Sequence, residues 1–146
     1  MKKINYQSLT IVGGSGFIGK SIIDSFNAGL LKKHKINTIN IICRNQIIIK
    51  KKKLNLKKIK IFYSDISTLK ELPKSDLYIY AAESSKVGTY TKDNNKKNIK
   101  LHKKSIKNFI NLVSKFRDVK VLYISSGSVN FRKKIKSLDT YKKVYT

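Results

Sequence analysis

A doubly wound α/β sheet, parallel and covered by helices on both faces, is the fold class that this 146-residue sequence predicts. Three observations predict it. Short apolar runs alternate with helix-period segments along the chain. The runs are near-continuously apolar, as strands buried on both faces must be. The residues that close each run are glycine, serine, alanine, arginine or aspartate, and they fall where the carboxyl ends of parallel strands meet a ligand.

The first strand is Ser8–Val12, and a helix follows from Gly16 to about Leu31, with Phe17, Ile18, Ile22, Ile23 and Phe26 at helical spacing. Strand two is the Ile-rich run Thr38–Cys43, ending at Arg44-Asn45. Ile47–Ile49 either extend a strand or belong to a basic connection; periodicity does not separate the two. Strand three is Ile59–Tyr63, closing on Ser64-Asp65-Ile66, and strand four is Leu77–Ala81, closing on Ala82-Glu83. A long amphipathic helix is expected next, with Ile99, Ile106, Phe109, Ile110, Leu112, Val113 and Phe116 on its apolar side. Strand five is Val119–Ile124, closing on Ser125-Ser126-Gly127-Ser128. Right-handed crossovers join such strands into one doubly wound sheet.

The segment Thr10-Ile-Val-Gly-Gly-Ser-Gly-Phe-Ile-Gly-Lys20 predicts a ligand as well as a turn. Glycines at 13, 16 and 19 join a buried strand to an amphipathic helix. Glycine allows positive φ in the turn, close approach of the backbone to a pyrophosphate, and close packing of helix on strand. The helix N-terminus then offers unpaired N–H groups and a partial positive charge to phosphate oxygens. Strand-to-helix context is what separates this pattern from an ordinary glycine turn.

Composition narrows the class. Hydrophobic residues make up 40% and charged residues 28%, which suits one globular domain. No stretch is long and apolar enough to span a membrane, and the Lys-Lys start lacks the apolar block of a signal peptide. Cys43 is the only cysteine, which excludes an internal disulfide and suits a reducing, cytoplasmic compartment. The net charge of +25 arises from 33 Lys+Arg against 8 Asp+Glu. Only Arg44, Arg117 and Arg132 are arginine, the better fork for bases and phosphates. The lysines are spread out, and Ile and Asn are abundant as well, so compositional drift accounts for the charge better than a nucleic-acid site. Nonspecific polyanion affinity is the expected by-product.

The order and spacing of Gly13-Gly14-Ser15-Gly16-Phe17-Ile18-Gly19, Ser64-Asp65-Ile66, Ala81-Ala82 and Tyr123-Ile124-Ser125-Ser126-Gly127-Ser128-Val129 resemble an extended short-chain dehydrogenase/reductase of the nucleotide-sugar epimerase/dehydratase kind. The resemblance runs from about Leu9 to the last residue and implies an NAD(P)-binding Rossmann fold. It implies that Gly13, Gly16 and Gly19 cradle the pyrophosphate, that Phe17 and Ile18 cover it, and that Asp65, beside Ile66, faces the adenine amino group. Asp65 also reads as a turn or helix cap before Leu69. Ala81 and Ala82 would lie under the nicotinamide ribose. Many relatives end strand two in Asp, which accepts from a free ribose 2′-hydroxyl; Arg44 stands in that slot here and pairs instead with a 2′-phosphate, so NADP(H) is preferred over NAD(H). The bland alternative is a solvated arginine.

The family's chemistry uses a Ser or Thr after strand five and a Tyr-x-x-x-Lys motif, in which the tyrosine moves a proton and the ammonium lowers its pKa. The resemblance puts the serine at Ser126, with Ser125 and Ser128 as near substitutes, although Val129-Asn130-Phe131 replaces the usual Val-Tyr-Gly. Tyr145-Thr146 fits the tyrosine position, and its lysine would fall three positions past Thr146. A truncated or frame-interrupted member is therefore expected: one NAD(P)-binding domain over residues 1–146, incomplete at the C-terminus, without the substrate-binding region, and with exposed sheet edge.

Metal binding is not expected. His34 and His102 lie in lysine-rich helical stretches without ligands at the right spacing, and Cys43 reads as a small apolar group. Glu83 reads as surface or cleft, and the tyrosines as packing residues. Three functions stay open: an epimerase/dehydratase-like enzyme acting on a nucleotide-sugar, a non-catalytic NADP(H)-binding module, and a basic nucleic-acid-associated protein. A homodimer is possible by analogy alone.

Overall fold

The computed structural model describes residues 6–44, 58–82 and 92–124. Within them, β1 (Ser8–Val12), β2 (Thr38–Cys43), β3 (Ile59–Tyr63), β4 (Leu77–Tyr80) and β5 (Lys120–Tyr123) form one sheet. All pairings are parallel and the order is β3-β2-β1-β4-β5. That is the doubly wound order, in which the chain reverses direction across the sheet between β1 and β4. The expected fold class holds, and each strand lies within one residue of its expected bounds.

Strand periodicity assigns the two faces. Leu9, Ile11, Ile39, Ile41, Cys43 and Ile79 point to one face, where Ile23, with Ile22 and Phe26 beside it, covers them from helix α1 (Phe17–Asn27). Val12, Ile42, Tyr78 and Tyr80 point to the other, against Phe109, Leu112 and Val113 of helix α2 (Lys92–Val113). Tyr78 stacks on Phe116 at 5.8 Å between ring centroids, and Tyr80 tilts against Phe109 at 5.0 Å.

Two expectations about helices need correction. The first helix does not run to Leu31: it stops at Asn27, Gly29 takes a left-handed φ of 76°, and a separate 3-10 turn covers Leu30–His34. The Ala28-Gly29 step provides the turn that a continuous helix lacks. On α2, Ile99 and Ile110 are 46% and 54% exposed rather than on the apolar side. The buried stripe runs through Ser105, Phe109 and Leu112, and those two isoleucines lie off it. At the β5 edge, Val121, Leu122 and Tyr123 are exposed.

The amino ends of the strands are tied together by polar groups. One Asp76 carboxylate oxygen accepts from the Gln7 and Ser8 amides, both at 2.9 Å, and from the Ser8 hydroxyl at 2.7 Å. Deeper in, Thr10 and Ser75 hydroxyls meet at 2.7 Å and the Asn40 amide donates to Ser75 at 3.1 Å. Burial, the largest single influence, opposes the charge of Asp76, but the Ser8 hydroxyl, the two amides and Lys74 outweigh it, so its pKa lies below the ordinary value. A carboxyl with a depressed native pKa stabilises the fold above its unfolded pKa, and that contribution disappears as pH falls through the native value. Asp76→Ala is therefore expected to cost about 2 kcal/mol near neutral pH. Urea unfolding from pH 7 to pH 2 should show the gap between variant and wild type closing in acid.

Candidate active site at the carboxyl ends of the strands

A cleft of about 270 Å³ opens at the carboxyl ends of β1, β2 and β4, where the sheet reverses direction. This is close to the lower end of the roughly 300–1,000 Å³ that small-molecule sites occupy. One wall is the glycine turn, with Val12, Gly13, Ser15 and Gly16. A second is formed by Cys43 at the end of β2 and Arg44 just after it, with Ser64, Asp65 and Ile66 after β3. The floor is Tyr80, Ala81 and Ala82, and Asn98, Leu101, His102 and Ser105 of α2 face them.

The turn is built by close backbone approach. Gly13 and Gly14 both donate to the Ile42 carbonyl, at 2.9 and 3.3 Å, and Gly16 donates back to Gly13 at 3.1 Å. Gly13 has φ 95°, and a Cβ there would lie 2.7 Å from the Ala81 carbonyl. A Cβ on Gly19 would lie 2.5 Å from the Gly14 Cα. Gly19 is buried under the turn rather than lining the cleft, so it serves helix-to-turn packing. Gly16 is the N-cap of α1, with no side-chain cap and no acid in the first turn. The first-turn amides thus have no intrahelical partner and no side chain competing for them.

The other expected positions fall as follows. Arg44, Asp65, Ile66, Ala81 and Ala82 all line the cleft. Phe17 is 90% exposed, Ile18 is also exposed, and neither lines the cleft. Asp65 does form a turn: its Oδ1 accepts the Ser67 amide at 2.7 Å, and its carbonyl accepts from Thr68 and Leu69. Asn108 of α2 donates to the Ile66 and Leu69 carbonyls at 2.7 and 2.9 Å, holding that loop against the helix. Ser126, Tyr145 and Glu83 lie outside the described residues.

Sequence reasoning missed the α2 wall. His102, read as one more residue of a lysine-rich helix, lines the cleft, with Nε2 3.3 Å from the Tyr123 hydroxyl and its ring edge-on to Tyr80. Ser105 stands one turn further on. The available signal was the 98-101/102-105 spacing, in line with Phe109 and Leu112. Cys43 is buried, and burial pushes its thiol pKa up, so it is a packing group rather than a nucleophile. Among the described residues there is no cluster of metal-ligating side chains, and no helix is long and apolar enough to cross a membrane.

The model of the 3-beta hydroxysteroid dehydrogenase/isomerase family matches residues 10–140. The chain belongs to that family. The resemblance to epimerase/dehydratase-like short-chain dehydrogenases therefore stands. No curated protein matches it in sequence. Solved structures with the same fold include the Bordetella bronchiseptica enzyme WbmF in complex with NAD+ and UDP, at 15% identity and TM-score 0.58, covering 99% of this chain and 44% of that one. DesIV, a dTDP-glucose 4,6-dehydratase from Streptomyces venezuelae with NAD and TYD bound, matches at 15% identity and TM-score 0.53, covering 72% and 36%. A thiolation-reductase di-domain of an archaeal non-ribosomal peptide synthetase matches at 18% and 0.63, covering 92% and 38%. This family member thus spans well under half the length of these structures, and at such identities the likeness carries the fold alone.

Proposed function

We propose that this chain binds a nicotinamide dinucleotide across the β1–β4 reversal and belongs to an enzyme that interconverts a secondary alcohol and a ketone on a nucleotide-sugar. The observation that carries the reading is the glycine turn, whose tight backbone leads into an uncapped helix N-terminus at the cleft. The residues fit the group. Gly13 and Gly19 leave no room for side chains, and the α1 amides and dipole suit a pyrophosphate. Phe17 and Ile18 contribute their amides to it rather than a side-chain cover.

Arg44 at the end of β2 marks the adenosine ribose and prefers a 2′-phosphate, which favours NADP(H) over NAD(H). Asp65 spends one oxygen on Ser67 and has acceptor capacity left for the adenine amino group. Ala81 and Ala82 offer a small-residue floor to the nicotinamide half. The bound nicotinamide ring supplies a hydride acceptor or donor. Ser126 is assigned to hold the substrate oxygen and Tyr145 to move its proton. Support for a nucleotide-sugar comes from the UDP held by WbmF and the TYD held by DesIV, a dTDP-glucose 4,6-dehydratase.

Titrating the purified chain with NADPH and with NADH tests the reading. Saturable binding is expected at micromolar to low millimolar ligand, with NADPH the tighter. The titration is to be run at raised salt, because the +25 charge attracts any polyanion and that attraction falls steeply with ionic strength. Absence of saturable binding by both would remove the proposal.

A further inference from the structure

The turn that carries Asp65 is closed on itself. Its carbonyl accepts from the Thr68 and Leu69 amides at 3.1 and 3.0 Å, and its Oδ1 accepts the Ser67 amide at 2.7 Å. The turn follows β3, the outermost strand among those described, which pairs with β2 alone. Among the described residues no strand therefore braces it from the far side. The brace comes from α2 instead. Asn108 Nδ2 donates to the Ile66 carbonyl at 2.7 Å and to the Leu69 carbonyl at 2.9 Å, across 42 and 39 residues of chain. The residue type suits the task, because a side-chain amide carries two donors on one nitrogen and can satisfy two neighbouring carbonyls at once. Its oxygen turned the same way would face two acceptors, so the carbonyls also fix the direction of the amide. Ile66 and Ser67 are buried, where an unpaired carbonyl is costly.

We propose that Asn108 is a positioning residue for the dinucleotide: by tying the Ile66 and Leu69 carbonyls to α2, it holds Asp65 in the cleft wall. The inference rests on the dinucleotide reading above and adds a coupling from α2, through two carbonyls, to a group that meets the ligand. Asn108 does not itself line the cleft, whereas Ser105, one turn earlier on the same helix, does. The helix therefore sets the distance between its own wall and the Asp65 wall. Without Asn108, Asp65 keeps its bond to Ser67, but the turn as a whole loses its tie to the facing helix. The glycine turn is anchored differently, through the Ile42 carbonyl of β2, so the phosphate end of the cleft does not depend on Asn108.

The test is a double-mutant cycle, with wild type, Asn108→Ala, Asp65→Ala and the double variant titrated by calorimetry at raised salt. Two probes are used, ADP-ribose and inorganic pyrophosphate, and Tm is recorded without ligand. Asn108→Ala should lower Tm by about 5 °C, as the loss of two hydrogen bonds would. Its affinity for ADP-ribose should fall about five- to tenfold, while pyrophosphate binding stays unchanged. In the Asp65→Ala background the same substitution should cost less than about twofold, because the group that it positions is gone. Asn108→Ser, which keeps one shorter donor, runs beside it and carries the same comparison if the alanine variant does not fold. A lowered Tm with unchanged ADP-ribose affinity, an equal loss for both probes, or a full additional loss in the Asp65→Ala background would overturn the inference and leave the dinucleotide reading intact. Failure of wild type to bind either probe would remove both.

Discussion

Gly16→Asp should abolish dinucleotide binding without harming the fold. Gly16 has φ −75°, open to any residue, and a Cβ there meets only the Gly13 carbonyl at 3.3 Å. Aspartate is also among the better N-cap residues, so relative to glycine α1 should gain a few tenths of a kcal/mol, which offsets that tight contact. Its carboxylate, however, would occupy the place of the phosphate and neutralise the helix end that attracts it. A loss of at least about 100-fold in affinity, roughly 2.7 kcal/mol, is expected by calorimetry, with Tm equal to or above wild type. Gly19→Val provides the contrast. Its Cβ would stand 2.5 Å from the Gly14 Cα, so that variant should lose more than about 3 kcal/mol of stability or fail to fold. One glycine serves the ligand and the other serves the packing beneath it.

Arg44 governs the second large effect. It sits where β2 ends in the cleft wall. A guanidinium makes charge-assisted hydrogen bonds to a 2′-phosphate but accepts none from a 2′-hydroxyl. Arg44→Asp should therefore weaken NADPH by about 100-fold or more while NADH gains or holds, inverting the preference. Arg44→Ala should lose NADPH affinity alone. Paired fluorescence titrations of both cofactors against both variants check this. A wild type that binds NADH more tightly would return Arg44 to the status of a solvated cation.

How far the sequence reached depended on the kind of signal. The β-strands were legible because each is a short, mostly apolar run rich in β-branched and aromatic residues, and a parallel sheet buries both faces of its inner strands. The turn at Gly13–Gly19 was legible because glycines recur there at fixed spacing between a strand and an amphipathic helix, where backbone must pack on backbone. The break at Gly29 was not, since the apolar periodicity carries on through Leu30 and Leu31 while the backbone turns. The α2 wall was also hidden. Asn98, His102 and Ser105 are polar residues on a lysine-rich helix, and sequence alone does not separate a polar cleft face from a solvated one. Asp65 shows the same ambiguity from the other side, because its turn-capping bond is real and leaves acceptor capacity for a ligand.

The most direct measurement is amide chemical-shift mapping of labelled protein titrated with NADPH at raised salt. Saturable shifts are expected, centred on the backbone amides of Gly13 to Gly19, with Arg44 and Asp65 following along the same isotherm. Shifts confined to the lysines of α2, or a glycine turn that never responds, would contradict it.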